Sequence, residues 1–253
     1  MVTISSIAVS QVGKIREHNE DAVLVGDNNG LWVLADGMGG HASGEVASQL
    51  AIDVVAEKVA QQPDLKQAIA DAHQQILAQA ESNPEQQGMG TTIVAACKNR
   101  HGFNIAWVGD SRAYLYEKCT RAPGLKQITT DHTFVQDMVY REVLTAEEAE
   151  NHPQGNLINR SLGMTEGRFK VDEIQLRPKS TGYLLLCSDG VSDYISHEQL
   201  QVAFSQAEKL EEIAEAINGA VLETEAADNF SFIIVLFEPG KLSQWRNRLL
   251  KKN

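Results

Sequence analysis

The spacing of apolar residues changes period several times along the chain, and each change marks an element. Residues 4–10 alternate as a half-buried strand does, and Gln11-Val12-Gly13-Lys14 turns out of it. Two short apolar runs, 22–25 and 30–35, are separated by Gly26-Asp27-Asn28-Asn29-Gly30, which predicts a hairpin. Over 43–61 the period becomes helical. Val46, Leu50 and Val54 recur every fourth residue, with Ala47, Ala51, Val55 and Val59 beside them. Pro63-Asp64 opens a second helix with Leu65, Ile69, Ala72, Ile76 and Ala80 on one face, and Asn83-Pro84 stops it.

Strand patterns return after Gly88-Met89-Gly90-Thr91-Thr92. Residues 92–97, 103–108 and 112–116 are rich in β-formers and joined by short links, which predicts antiparallel strands. From 130 to 163 the apolar pattern thins. Asp131-His132-Thr133 leads into a helical stretch, Thr145-Ala146-Glu147-Glu148 has the form of a capping box, and Asn151-His152-Pro153-Gln154-Gly155-Asn156 breaks it. This polar stretch is either an insert lying over the core or an ordinary surface helix pair. Strands are expected again at 171–176, 183–187 and 230–237, with helices at 196–206 and 210–223 between the last two. No repeat or linker interrupts the chain. One domain is therefore expected over 1–240, followed by a tail, 241–253, with five basic residues and no acid.

Composition narrows the function. A hydrophobic fraction of 43% over 253 residues allows a sizeable core. The net charge of −12 argues against general nucleic-acid binding, which needs a basic face. The N-terminus lacks a basic, apolar leader and no stretch is apolar enough to span a bilayer, so a cytoplasmic protein is expected. Cys97, Cys119 and Cys187 are too far apart for a metal knot, and Cys97 and Cys187 lie in apolar runs that predict burial. The histidines are scattered, and His132 and His152 are expected in turns or at the surface.

The candidate chemistry lies in carboxylates. In Leu34-Ala35-Asp36-Gly37-Met38-Gly39-Gly40-His41 a buried strand ends on Asp36, and three glycines let the backbone turn beside it. That stretch alone fits a cation and phosphate site, and fits a solvated turn as well. The motif recurs, however. Asp110, Asp189 and Asp228 also stand at strand edges beside Gly or Asn, and Asp21 begins another strand. The hairpin would pair Asp21 with Asp36, near Glu20 and Arg16. Convergence explains such recurrence better than chance. Gathered carboxylates repel, so they need cations to stay ionised, and all-oxygen ligation selects Mg²⁺ or Mn²⁺ over zinc.

The ordered series Arg16…Asn19-Glu20-Asp21, Asp36-Gly37-Met38-Gly39-Gly40-His41, Gly88…Gly90-Thr91-Thr92, Gly109-Asp110-Ser111-Arg112, Ser188-Asp189-Gly190…Asp193 and Asp228-Asn229 resembles the metal-dependent serine/threonine phosphatases of the protein phosphatase 2C family, above all the small stand-alone bacterial members. The resemblance runs from about Ser6 to Phe237. It implies a four-layer α-β-β-α sandwich, two antiparallel sheets flanked by helix pairs, with two metal ions at one end. Asp36 would bridge the ions, Gly37 would supply a backbone carbonyl, and Asp189 and Asp228 would complete the direct ligands. Glu20 and Asp21 would act largely through water. Asp110, with Asp189 and with Asp193 as a further candidate, matches the site of a weaker third ion. Arg16 would grip the substrate phosphate. The reaction implied is hydrolysis of phosphoserine and phosphothreonine in proteins by an activated water, without a phosphoenzyme.

Two departures bear on proton transfer and substrate choice. Met38 stands where other members carry a candidate proton-donating histidine, and His41 is either its replacement or a loop residue. In the 130–163 stretch, Glu142 replaces a frequent glycine and Gly155 a frequent basic residue. A compact form of this kind resembles stand-alone cyanobacterial relatives that act on the phosphorylated PII signalling protein. A catalytically dead binding module and a hydrolase of small phosphate esters are the competing readings; retention of Arg16, Asp36, Asp189 and Asp228 argues against the first.

Overall fold

The structure is a computed structural model and describes residues 3–39, 43–118, 124–150, 152–165 and 169–238. His41, Cys119 and the basic tail fall outside the described residues. Eleven strands among the described residues form two sheets, antiparallel at every pairing. The first sheet has the order β1 (Thr3–Gln11), β11 (Phe230–Glu238), β10 (Gly182–Cys187), β7 (Arg112–Glu117), β8 (Leu125–Gln127). The second has the order β2 (Asp21–Gly26), β3 (Leu31–Met38), β5 (Ile93–Lys98), β6 (Phe103–Val108), β9 (Asp172–Leu176), with β4 (Gly90–Thr91) paired to the end of β3.

The sheets pack face to face. Trp32, Leu34, Val94, Phe103 and Ile105 from the second sheet meet Leu184, Leu186, Ile233, Val235 and Phe237 from the first. The outer face of the second sheet is covered by α1 (Ser43–Gln61) and α2 (Leu65–Ser82), with Val33, Ala35 and Ala95 against Ala47, Ala51, Val55 and Ile69. The outer face of the first is covered by α6 (His197–Gln206) and α7 (Leu210–Glu223), with Tyr183, Leu185 and Phe232 against Phe204, Ile213 and Ile217. This is the expected α-β-β-α sandwich. Central strands are therefore buried on both faces, which is why β3 begins as a continuous apolar run rather than an alternation. Each large side chain so buried contributes about 1.5–3 kcal/mol.

The helix faces are close to those expected. In α1 the deepest positions are Ala47, Ala51 and Val55, while Val46, Leu50 and Val54 flank the contact. Small residues at its centre let the helix lie close to the sheet. In α2, Asp64 is the N-cap, its side chain accepting from the Gln67 amide, so Pro63 lies just outside the helix.

Two expectations need correction. Strands 103–108 and 112–117 do not pair with each other. β6 and β7 belong to different sheets, so the three residues between them cross the sandwich edge. His132 is no surface residue: it is 4% exposed, held by hydrogen bonds from two sides. Cys97 and Cys187 are buried, as their apolar surroundings predicted.

Candidate metal centre

The hairpin register sets Asp21 directly opposite Asp36, across β2 and β3. Asp36 lies close to the end of β3 at Met38, and the chain beside it is fixed by hydroxyls. The Asp36 amide donates to Thr92 Oγ1 at 3.2 Å, and Thr91 Oγ1 donates to the Asp36 carbonyl at 2.8 Å. Thr92 Oγ1 in turn shares a 2.7 Å hydrogen bond with Ser111 Oγ, in the turn that bears Asp110. Gly37 must be glycine, because a Cβ there would lie 2.2 Å from the Gly44 carbonyl oxygen.

The remaining acids arrive from the other sheet and from the crossing turn. Asp189 begins α5 (Asp189–Ser192), straight after β10. Asp228 precedes β11. The loop between them and β2 is tied by Asn229, whose Oδ1 accepts from the Glu20 amide at 2.9 Å and whose Nδ2 donates to the carbonyls of Val12 and His18. Ser188 Oγ donates to Asp21 Oδ2 at 3.0 Å. These bonds bring Glu20, Asp21, Asp36, Asp110, Asp189 and Asp228 to one end of the sandwich.

Their electrostatics show the crowding. Burial pushes Asp21 up to about 7, with Asp189 and Asp228 adding repulsion. Burial and then Asp189 push Asp110 up to about 8. Asp36 is held well above the ordinary carboxylate range by burial and by Asp189, Asp21 and Asp110. Burial likewise raises Asp189, and Asp228 adds repulsion to it. Asp21 Oδ1 and Asp110 Oδ1 are buried without a hydrogen-bond partner. A buried acceptor left without a donor is costly unless something else meets it. A divalent cation meets that need, and the donor set is all oxygen. Among the described residues no three acidic, His or Cys side chains already close on a single point as a ready cage.

Arg16 stands at the rim, half exposed, with its Nη2 donating to Asp228 Oδ2 at 2.8 Å. It also feels Glu20 and Asp36. A guanidinium so placed offers donors to an incoming phosphate. The general-acid role implied for His41 concerns a residue outside the described set.

Sequence reasoning missed three supports. Asp131 binds Arg112 through 2.8 and 2.7 Å contacts and faces Asp110. His132 accepts from the Gly109 amide. The Ser231 amide donates to Ser188 Oγ at 2.9 Å, orienting that hydroxyl toward Asp21. No periodicity marks these residues. The one signal was Thr133, an N-cap for α3 (Phe134–Tyr140), which places Asp131 and His132 just before a helix start.

Comparison with known proteins agrees with this geometry. The sequence model of the family described as Protein phosphatase 2C matches residues 14–226. The serine/threonine phosphatase Stp of Listeria welshimeri is 34% identical over 236 residues, covering 88% of this chain and 92% of that protein. PstP of Mycobacterium tuberculosis is 38% identical over 234 residues, covering 90% of this chain and 44% of that longer protein. The crystal structure of the mycobacterial phosphatase superposes with a TM-score of 0.82 at 36% identity, over 94% of this chain and 100% of that one. A structure of the PstP catalytic domain holding two manganese ions gives 0.80 at 34% identity, with 94% and 100% covered. The chain belongs to the protein phosphatase 2C family. Within it, the chain is a serine/threonine phosphatase akin to these bacterial enzymes.

Proposed function

We propose that this protein removes phosphate from phosphoserine and phosphothreonine in proteins, using Mg²⁺ or Mn²⁺. The observation that carries the reading is the ring of buried, mutually repelling carboxylates with two unpartnered oxygens, closed at its rim by Arg16. Asp36, the Gly37 carbonyl, Asp189 and Asp228 would hold two tight ions, with Asp21 and Glu20 reaching them through water. Asp110, with Asp189 and Asp193, would hold a weaker third. When bound, such ions lower the pKa of a water and polarise the phosphoryl group.

The protein's own groups set the stage for that chemistry. The Thr91 and Thr92 hydroxyls fix the Asp36 backbone at the strand end that carries its carboxylate. Ser188 holds one oxygen of Asp21, and the other has no hydrogen-bond partner. Arg16 can exchange Asp228 for a substrate phosphate, binding it through two N–H groups and orienting it. His41 would give a proton to the departing serine or threonine oxygen. Cys187, close in sequence to Asp189, is no candidate nucleophile, since it is fully buried and burial pushes its thiol up to about 12.

The reading extends to organisation. One phosphatase domain covers 1–240, with 130–163 as a flap-like insert and 241–253 as a separate basic tail. We place the protein in the cytoplasm as a monomer; among the described residues no helix is long and apolar enough to cross a membrane. The phosphorylated PII signalling protein is the first client to test. Turnover of a phosphopeptide, a free phosphate metabolite and phosphorylated PII, each with chelator and with added Mn²⁺, decides the matter. Metal-dependent release of phosphate from the phosphopeptide is expected, and inertness on all three would leave only a binding module.

A further inference from the structure

The turn that carries Asp110 is held from outside its own strands. Gly109 adopts φ +107°, and a Cβ there would lie 2.6 Å from Thr92 Cβ, so the turn is pressed against the strand beside Asp36. Its backbone is gripped on the opposite side by His132 in a reciprocal pair. The His132 amide donates to the Gly109 carbonyl at 3.0 Å, and the Gly109 amide donates to His132 Nδ1 at 3.0 Å. An N–H aimed at Nδ1 requires a lone pair there, so the ring proton lies on Nε2. Nε2–H is then the donor to Asp172 Oδ2, 3.0 Å away.

Asp172 is itself immobilised. Arg160 Nη1 donates to its Oδ2 at 3.1 Å, and Lys170 pairs with its Oδ1. The Trp107 ring stacks on the imidazole, and the Asn159 amide donates to the His132 carbonyl at 2.9 Å. The two ends of the 130–163 stretch therefore meet at His132: one supplies the histidine, the other supplies Arg160 and Asn159. One residue beyond the gripped amide, Asp110 points an unpartnered, buried oxygen into the carboxylate cluster.

We infer that His132 is a positioning residue for Asp110, fixing the Gly109–Asp110 turn from the root of the 130–163 stretch. It touches neither phosphate nor metal. It acts by denying the turn an alternative backbone conformation, so Asp110 presents its oxygen without prior ordering. The inference rests on the reading of Asp110 as ligand of the weaker ion.

Asparagine and glutamine separate the two edges of the ring. In His132→Asn the new side chain is too short to reach Asp172, but its amide oxygen falls where the ring Nδ1 lies and can accept from Gly109. In His132→Gln the longer side chain reaches toward Asp172 and abandons Gly109. The test is calorimetric titration with Mn²⁺ on wild type, His132→Asn, His132→Gln, His132→Leu, Asp110→Ala and His132→Gln combined with Asp110→Ala. Phosphopeptide kinetics and melting temperature are measured beside it. For His132→Gln and His132→Leu the weak Mn²⁺ event should move to about 10–100-fold higher concentration, the range seen when an outer support of a metal ligand is lost. The tight events should stay in place, and His132→Asn should remain near wild type. In the Asp110→Ala background the glutamine should add no further loss, because the residue it acts through is gone. His132→Gln carries the test if His132→Leu does not fold. Weakening of all Mn²⁺ events together, additive losses, or His132→Asn behaving like His132→Gln would overturn the inference. A wild type with no weak event would overturn the reading of Asp110 and the inference with it; a wild type with that event and an unchanged His132→Gln would overturn the inference alone.

Discussion

The carboxylate rim and the 130–163 stretch lie at opposite extremes of construction. Every acid at the rim stands on or beside a strand of the sandwich, and Glu20, Asp21 and Asp36 are tied by neighbours far away in sequence. The 130–163 stretch has only short helices, α3 and α4 (Ala146–Glu150), and turns large apolar side chains outward: Tyr140 is 87% exposed, Val143 63% and Leu157 52%. It is clasped at both ends by buried histidines. His132 accepts from Gly109 at one end, and His73 Nδ1 accepts from the Gly163 amide at the other, at 3.1 Å. The rim tolerates strain, in the form of unpaired buried charge, because the sandwich holds it. Between its clasps the stretch is held at few points, the buried Val135 and the 2.7 Å bond from Asn156 Nδ2 to Asp193 Oδ2 among them, and so can vary at its exposed positions without cost to the core. Chemistry belongs on the first kind of structure and recognition on the second.

If that division holds, rim substitutions should cost activity on every substrate. Asp36→Asn should have the largest effect, lowering turnover of phosphopeptide and aryl phosphate alike by about 10³-fold or more, while the fold persists. Near-normal turnover would remove Asp36 from the centre. Arg16→Lys comes next. A lysine keeps the charge but not the paired donors, so KM should rise by about tenfold on both substrate types with a smaller change in kcat. A change confined to phosphoproteins would move Arg16 from the chemical side of the comparison to the recognition side.

The rim also predicts an unusual pH response in metal-free protein. Asp21 and Asp110 titrate near 7 and 8 in the folded state, above the ordinary carboxylate value of the unfolded chain. Between those values the folded state binds more protons than the unfolded one. The stabilising contribution of these two carboxyls is therefore full only below about pH 4, declines steadily as pH rises, and is gone once the pH has passed 7 and 8. The melting temperature of chelated protein should fall by several degrees from about pH 5 to about pH 8.5, on the scale expected for a chain of this size. Saturating Mn²⁺ should abolish the fall, because the cation replaces the protons. A melting temperature that rises with pH in chelator would mean that the carboxylates are not crowded in solution.

Much of this was legible in residue order. The hairpin signal at 26–30 was enough to pair Asp21 with Asp36, because a short turn leaves little freedom in register. The Asp-Gly steps marked strand ends because the following backbone must turn. What could not be seen was which sheet each strand joins. The link Gly109-Asp110-Ser111 reads as a hairpin, yet it crosses between layers, since the inner faces of β6 and β7 pack against each other's sheets instead of pairing edge to edge. His132 was hidden for a related reason. Its burial comes from Trp107, Gly109, Arg160 and Asp172, none of them near it in a local pattern.

The smallest expected effect lies at the exposed end of α3, and it tests the recognition side of the comparison. The Glu142 amide donates to the Val139 carbonyl at 3.0 Å and the Val143 amide to the Met138 carbonyl at 2.9 Å. That pair of bonds is the Schellman close of a helix, and it places Glu142 at the position where the backbone turns left-handed, with φ +58°. Glycine is favoured there because a Cβ costs about 1 kcal/mol, which accounts for the glycine frequent at this point in similar sequences. Glu142→Gly removes that cost but loosens the unfolded chain by about 0.5–1 kcal/mol, so the melting temperature should shift by no more than about 2 °C. Its effect should appear in substrate choice. Tyr140 and Val143 flank the turn in the open, and removing a charge between them should change kcat/KM among phosphopeptides of different charge by about two- to fivefold, the scale of one exposed ionic contact. Turnover of a small aryl phosphate, which is too short to reach the turn, should stay the same. Equal change on both substrate types would show that the end of α3 supports the rim, and the division between the two regions would fail at that point.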